Sequence, residues 1–237
     1  MLKEFIEKIE AMTAQHLTPL NGLTYTNKPL TLMVEPCASV VPLRTLTGLA
    51  DLIKVKTDDL DTQCWLLQVV SHTEVRLIQK STDPYGRRPA LGKSECEDGQ
   101  PFPFGRFIDR EEFVIGLQSR FVVTPDLVET LKLASNLTAS TVAQAEDDGI
   151  AQRTTVKQGV TLKKDVTVKS RVVLKPYRTF REVDQPSSEF VFRLRSRDGS
   201  VPDCALFEAD GGKWKLDAVL SIKQWLDGQN LGMPVVA

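Results

Sequence analysis

Four lysines recur at every sixth position: Lys157, Lys163, Lys169 and Lys175, preceded by Val156, Leu162, Val168 and Leu174. On an uninterrupted extended chain, even spacing puts such a set on one face. Arg178 and Arg181 follow directly. Between Arg153 and Arg181 nine Lys/Arg stand against one acid, Asp165, a local balance of +8 in a chain whose net charge is −1. A face of this charge attracts phosphate in a salt-dependent way. Lys157, Lys163, Lys169, Lys175, Arg178 and Arg181 are therefore the candidate residues for binding nucleic acid, a nucleotide or another phosphate. Two plainer readings stand beside this one. Exposed strand lysines also discourage edge-to-edge aggregation, and the acidic remainder of a second copy can dock on a basic face. Gly159 and Lys164-Asp165 are places where the chain can turn into a hairpin, which would break the single face. Aromatic support for stacking single-stranded bases is limited to Tyr177 and Phe180.

Other chemistry is less well supported. Gly86 to Gly92-Lys93-Ser94 approaches a phosphate-cradling loop but has five residues between its glycines where the motif needs four. His72 beside Glu74 fits a base and its orienting carboxylate, yet no nucleophile is fixed near them and a turn histidine is usually solvated. Cys37, Cys64, Cys96 and Cys204 form no CxxC pair, and His16 and His72 are the only histidines, so no zinc site is indicated. The apolar settings of Cys37, Cys64 and Cys204 read as buried reduced thiols. No metal, cofactor or catalytic residue is assigned.

The elements that must position these residues follow from periodicity. Leu2, Phe5, Ile6, Ile9 and Met12 predict an amphipathic helix over 2–15. Residues 30–34 read as a strand, and Pro42 suits the first turn of a helix reaching Lys56. Residues 64–70 and 75–79 read as a hairpin across Ser71–Glu74. Residues 81–105 read as one long polar loop, in which Phe102, Phe104 and Phe107 either pin it to the core or form a partner-binding patch. Asp109 with Glu112 marks a helix start, and Thr124-Pro125 another that ends near Asn136. From Thr138 to Phe207 the chain is strand-like, with turn signals at Asp147-Asp148-Gly149, Gln158-Gly159, Arg197-Asp198-Gly199 and Asp210-Gly211-Gly212. A last helix carries Leu216, Val219, Leu220, Ile222 and Leu226, with Trp214 as a core anchor.

The fold class is thus α+β: a mixed part over 1–137, then a β-rich, sandwich-like part over 138–237 closed by a helix, the two possibly forming one compact domain. A chain of 237 residues, 41% hydrophobic and 26% charged, can bury a real core. No apolar run reaches the roughly 20 residues needed to span a bilayer, and the charged start is unlike an export signal. No membrane partner and a cytoplasmic location are expected.

The run from Leu174 through Tyr177-Arg178-Thr179-Phe180-Arg181 to Arg193, and the later Ala205 to Leu216, resemble the YfdQ-like family of phage and prophage proteins. The likeness covers about the C-terminal third. It implies a setting, a phage-encoded protein in the bacterial host's cytoplasm, and no catalytic residues. The leading expectation is a non-enzymatic accessory protein that self-associates as a homo-oligomer and acts by binding, in the manner of counter-defence proteins. The second is a nucleic-acid or nucleotide-binding protein using the basic β-face in phage DNA metabolism. The third is an enzyme whose site assembles from residues scattered in sequence.

Overall fold

A computed structural model of the chain describes residues 2–14, 16–26, 32–97, 101–137, 151–158, 162–197 and 200–237, with residues 151–158 and 162–169 described at the level of the backbone. The α+β class is seen. The order is α1 (Leu2–Thr13), β1 (Leu17–Leu20), β2 (Leu23–Thr26), β3 (Val41–Leu43), α2 (Leu46–Lys54), β4 (Trp65–Ser71), β5 (Glu74–Gln79), β6 (Ala90–Glu95), α3 (Arg110–Arg120) and α4 (Pro125–Ser135). It continues with β7 (Ala151–Gln158), β8 (Leu162–Lys169), β9 (Arg171–Leu174), β10 (Ser188–Arg197), β11 (Ser200–Glu208), α5 (Lys213–Gly228) and β12 (Val235–Val236).

Two sheets each bury one face against helices. The five-stranded sheet runs β12-β4-β5-β6-β3, antiparallel at its centre and parallel at both edges. Alternate residues Leu67, Val69, Val75 and Leu77 of its central hairpin are buried with Leu46, Leu49 and Ile53 of α2 and Ile222 and Leu226 of α5. The three-stranded antiparallel sheet β11-β10-β9 packs on α3 and α4 through Phe190, Phe192, Leu206, Phe113, Leu117 and Leu127. Each core draws on residues from both sides of position 137: Phe180 and Val183 enter the first, and Phe102 to Leu137 enter the second. The change of sequence character at 137 is therefore not a break in packing.

Local chemistry explains where elements begin. Asp109 accepts from the Glu111 and Glu112 backbone N–H groups and starts α3. Thr124 does the same for α4 through Leu127, with Pro125 in the first turn. The helix expected from Pro42 instead starts at Leu46, because the Thr45 hydroxyl accepts from Gly48 N–H. Residues 41–43 ahead of it pair in parallel with β6, where Pro42 sits on an edge. Within the expected strand at 30–34, residues 30 and 31 lie outside the described set; Leu32 makes one bridge to Tyr25, while Met33 and Val34 are exposed.

The loop expected over 81–105 contains β6. Its sequence, Ala-Leu-Gly-Lys-Ser-Glu, lacks the β-branched residues that mark strands. Gly92 is placed there by packing, since a Cβ would stand 2.8 Å from Leu52 Cδ2 and 3.1 Å from Leu49 Cδ1 of α2. On α5 the buried stripe is Trp214, Ala218, Ile222 and Leu226, whereas Leu216 and Leu220 are exposed. Cys204 is fully buried, and burial pushes its thiol up to about 12; Cys37 and Cys64 are exposed, contrary to the expectation of buried thiols. Among the described residues no helix is long and apolar enough to cross a membrane.

Gly116 tests how tightly α3 seats. A Cβ there would lie 2.8 Å from Phe102 Cε2, and that ring is held by Phe104, Phe113 and Phe121. Helix propensity alone would favour Gly116→Ala by about 1 kcal/mol, but overpacking of a fixed ring costs about 1–3 kcal/mol. We expect Gly116→Ala to lower stability by about 1 kcal/mol, seen as a fall in Tm of about 2–4 °C; a rise in Tm would show the ring free to move.

Candidate functional site

Residues 175–185 connect β9 to β10 and are built around one buried amide. The Gln185 side-chain oxygen accepts from Arg178 N–H at 2.9 Å and Thr179 N–H at 3.2 Å. Its nitrogen donates to the Phe180 carbonyl at 3.0 Å and the Val183 carbonyl at 3.3 Å. The Thr179 hydroxyl donates to the His72 carbonyl, joining this loop to the β4–β5 turn. Upstream, Val122 N–H donates to the Lys175 carbonyl and Tyr177 N–H to the Arg120 carbonyl, tying the loop to the end of α3. The backbone of Arg178 is thereby fixed from three directions.

Its side chain points into a cavity of about 460 Å³, within the ordinary range for small-molecule sites. Arg120, Arg181, Tyr177, Glu208, His72 and Trp214 share the lining, with Phe102 and Phe104 as apolar wall. The Arg178 guanidinium lies 4.4 Å from the Trp214 ring centre, 4.7 Å from that of Phe104 and 5.2 Å from that of Phe190. Its side chain is only 8% exposed. Nη1 lies 2.8 Å from Glu208 Oε1. That contact is an ion pair whose angles miss hydrogen-bond geometry, so Nε, Nη1 and Nη2 have no hydrogen-bonded protein acceptor among the described residues. Burial pushes the guanidinium below its ordinary value, and the Glu208 and Asp210 charges oppose that shift.

Asp210 and Trp214 begin α5 through the Asp210-Gly211-Gly212 turn, in which Asp210 Oδ1 accepts from Gly212 N–H at 3.0 Å. Burial would raise the Asp210 pKa; the Gly212 N–H, the Ser188 hydroxyl, the Trp214 backbone N–H and the Arg178 charge outweigh it and hold the carboxyl below its usual range. Ser188 Oγ and Asp210 Oδ2 fall short of strict hydrogen-bond geometry, so the serine acts here as a nearby dipole. Arg181 is exposed and stacks 3.9 Å from the Tyr177 ring centre. Arg120 donates to the Pro101 carbonyl. His72 meets the Trp214 ring edge-on at 4.8 Å, which half-buries a histidine that a turn would normally leave in solvent.

Of the six candidate basic residues, Arg178 and Arg181 line this cavity. Lys175 is not among the lining residues; its carbonyl accepts from Val122 N–H at 2.9 Å. Lys157, Lys163 and Lys169 fall on the antiparallel β7–β8 hairpin, in the stretch described by its backbone only. Of the two readings the sequence left open, an uninterrupted strand or a hairpin, the backbone shows the hairpin, in which Lys157 is in register with Lys163. Lys93 belongs to no phosphate cradle: it pairs with Glu95 at 2.9 Å and Glu74 at 3.7 Å, while the Ser94 hydroxyl donates to the Thr45 carbonyl.

The residues sequence reasoning missed as site members are Gln185, Glu208, Arg120 and His72. Gln185 carried a faint signal, a lone amide inside the Tyr177–Pro186 run. Among the described residues no three His, Cys, Asp or Glu side chains gather as a metal-binding group. Comparison of the chain with protein-family models, curated proteins and solved structures finds no match.

A charge held below its ordinary value of 3.8 contributes stability that is present above that value and lost as pH falls through the folded one. Wild type should therefore melt above Asp210→Asn at neutral pH, and the gap should narrow as pH falls below about 4. Thermal melts of both proteins as pH is lowered check it; a gap independent of pH would remove the carboxylate's charge from the account.

Proposed function

We propose that this chain acts by binding a small anionic ligand with a flat apolar portion, the nucleotide class being the best fit, in the cavity around Arg178. The observation that carries this reading is a buried guanidinium whose three nitrogens lack hydrogen-bond acceptors among the described residues, on a side chain that lines a ligand-sized space. Arginine's planar fork suits phosphate and carboxylate recognition, and it is usually satisfied where it is buried. Arg181 adds a second positive charge to the lining, and among the described residues Glu208 is its one carboxylate. Tyr177, Trp214 and the Arg181 plane offer surfaces on which a base can stack.

The resemblance to YfdQ-like proteins supports placing this activity in a phage-infected bacterial cytoplasm, where sequestering a small phosphorylated ligand is one route to counter-defence. That resemblance rests partly on Tyr177 to Gln185, the same segment that presents Arg178.

Binding is tested by thermal shift with adenosine and guanosine mono- and triphosphates. A ligand at 100 times its Kd adds about 2.7 kcal/mol, or about 5–10 °C for a chain of this size. Arg178→Met, checked for folding by circular dichroism, should lose that shift. An absent shift in wild type, or an equal one in Arg178→Met, would overturn the reading.

Self-association is a second reading, favoured by α1. Leu2, Phe5, Ile9 and Met12 recur at three-four-three spacing and are 44–75% exposed, and Ile6 beside them is 47% exposed. A 12-residue helix is marginal alone and gains stability by burying such a stripe. Light scattering should give a mass above the 26.4 kDa of one chain, reduced to one chain by Phe5→Glu with Ile6→Glu. A monomer at every salt concentration would remove this reading.

A further inference from the structure

We propose that Glu208 is the internal anion of the Arg178 site: its carboxylate occupies the guanidinium in the unliganded protein, and an incoming phosphate displaces it. This inference rests on the anion-binding reading above and names the residue that sets its affinity and selectivity.

The two partners of the ion pair differ in freedom. Arg178 is locked, its N–H bonded to Gln185 and its guanidinium packed among Trp214, Phe104 and Phe190. Glu208 is anchored only through its backbone, at the last position of β11, where it pairs with Phe190. Its side chain is 40% exposed. Among the described residues its carboxylate has no partner but Arg178. The Glu208–Arg178 contact is close at 2.8 Å yet off the hydrogen-bonding directions. A carboxylate reaching in from the strand end thus neutralises the guanidinium without occupying its fork. The guanidinium nitrogens are covered while Glu208 is in place; when the glutamate swings to water, a tetrahedral phosphate entering through the cavity can take its position with charge-assisted bonds.

Asp210 cannot play this part. Its Oδ1 is engaged by Gly212 N–H at the start of α5, so it stays as a fixed background charge. The mobile glutamate also gives selection. A singly charged carboxylate gains little over the internal carboxylate it must replace, whereas a phosphate, carrying more charge and three oxygens, gains more. The Glu208 carboxylate, once released, remains beside the cavity and disfavours ligands with a second anionic group at that side.

The test measures inorganic phosphate and adenosine 5′-monophosphate binding by calorimetry on the full chain. Glu208→Gln should bind both at least about tenfold more tightly, the lower end of what close ion pairs couple by. Without anion it should melt below wild type, and added phosphate should recover the loss, because the uncompensated buried guanidinium then regains a counter-charge. Glu208→Asp, which keeps the charge but shortens its reach, should lie between the two and serves if Glu208→Gln folds poorly. Binding unchanged or weakened in both variants, with Arg178→Met still abolishing it, would overturn the displacement role and leave the binding reading standing. Equal binding by wild type, both Glu208 variants and Arg178→Met would overturn the two together.

Discussion

The Gln185 amide satisfies two backbone donors and reaches three backbone carbonyls within one short loop, and the placement of Arg178 follows from that. An irregular segment inside a fold leaves backbone polar groups that must be bonded or pay desolvation. Gln185 is buried and does this from the centre of the turn, which lets Phe180 and Val183 enter the core beneath the five-stranded sheet. The same loop sends Arg178 the other way, toward Phe104 and Phe190 of the second core. One amide thus ties two hydrophobic clusters together and aims a cation at the space beside them.

Aromatic packing completes the arrangement. Phe104 stacks on Phe190 at 5.1 Å and packs against Phe102 and Phe121, so the 101–108 segment is held by its rings. Those rings supply the low-dielectric wall in which the guanidinium's charge is felt strongly. The cation–π contacts are worth on the order of 2 kcal/mol each when desolvated. They hold the guanidinium flat and in place, and they leave its N–H edges without partners.

Much of the framework was legible in sequence. Thr124-Pro125 and Asp109 mark their helices through side-chain oxygens whose geometry is local, and the β4–β5 hairpin follows from alternating Leu, Val and Ile. What could not be read depends on contacts between distant segments. β6 is a strand because Gly92 lets α2 approach and because β3 and β5 flank it, not because its residues favour extension. The C-terminal Val235–Val236 joins β4 from more than 160 positions away, a pairing no periodicity announces. Two residues of the basic stretch singled out by composition, Arg178 and Arg181, are among those lining the cavity. Arg178 is buried and Arg181 exposed, and they converge there with Arg120, Glu208 and His72, which come from three other segments. The six-residue lysine rhythm, by contrast, is folded back on itself in a hairpin.

Stability alone does not account for Arg178. Burying a charged group costs several kcal/mol even when it is paired, and an apolar side chain of similar volume is often neutral or stabilising in its place. The three rings around it would pack a methionine or leucine with no desolvation to offset. Glu208 reduces the cost but, being 40% exposed and off-axis, does not complete the guanidinium's hydrogen bonding. Gln185, Thr179 and the Asp210 turn then add further buried polar groups, all serving to hold this one cation where it is. The loop, the buried amide and the aromatic wall that hold this incompletely bonded cation beside a cavity are the physical ground of the binding proposal: an anion with several oxygens would complete the guanidinium's bonding, and the adjoining rings would pack a flat apolar group attached to it.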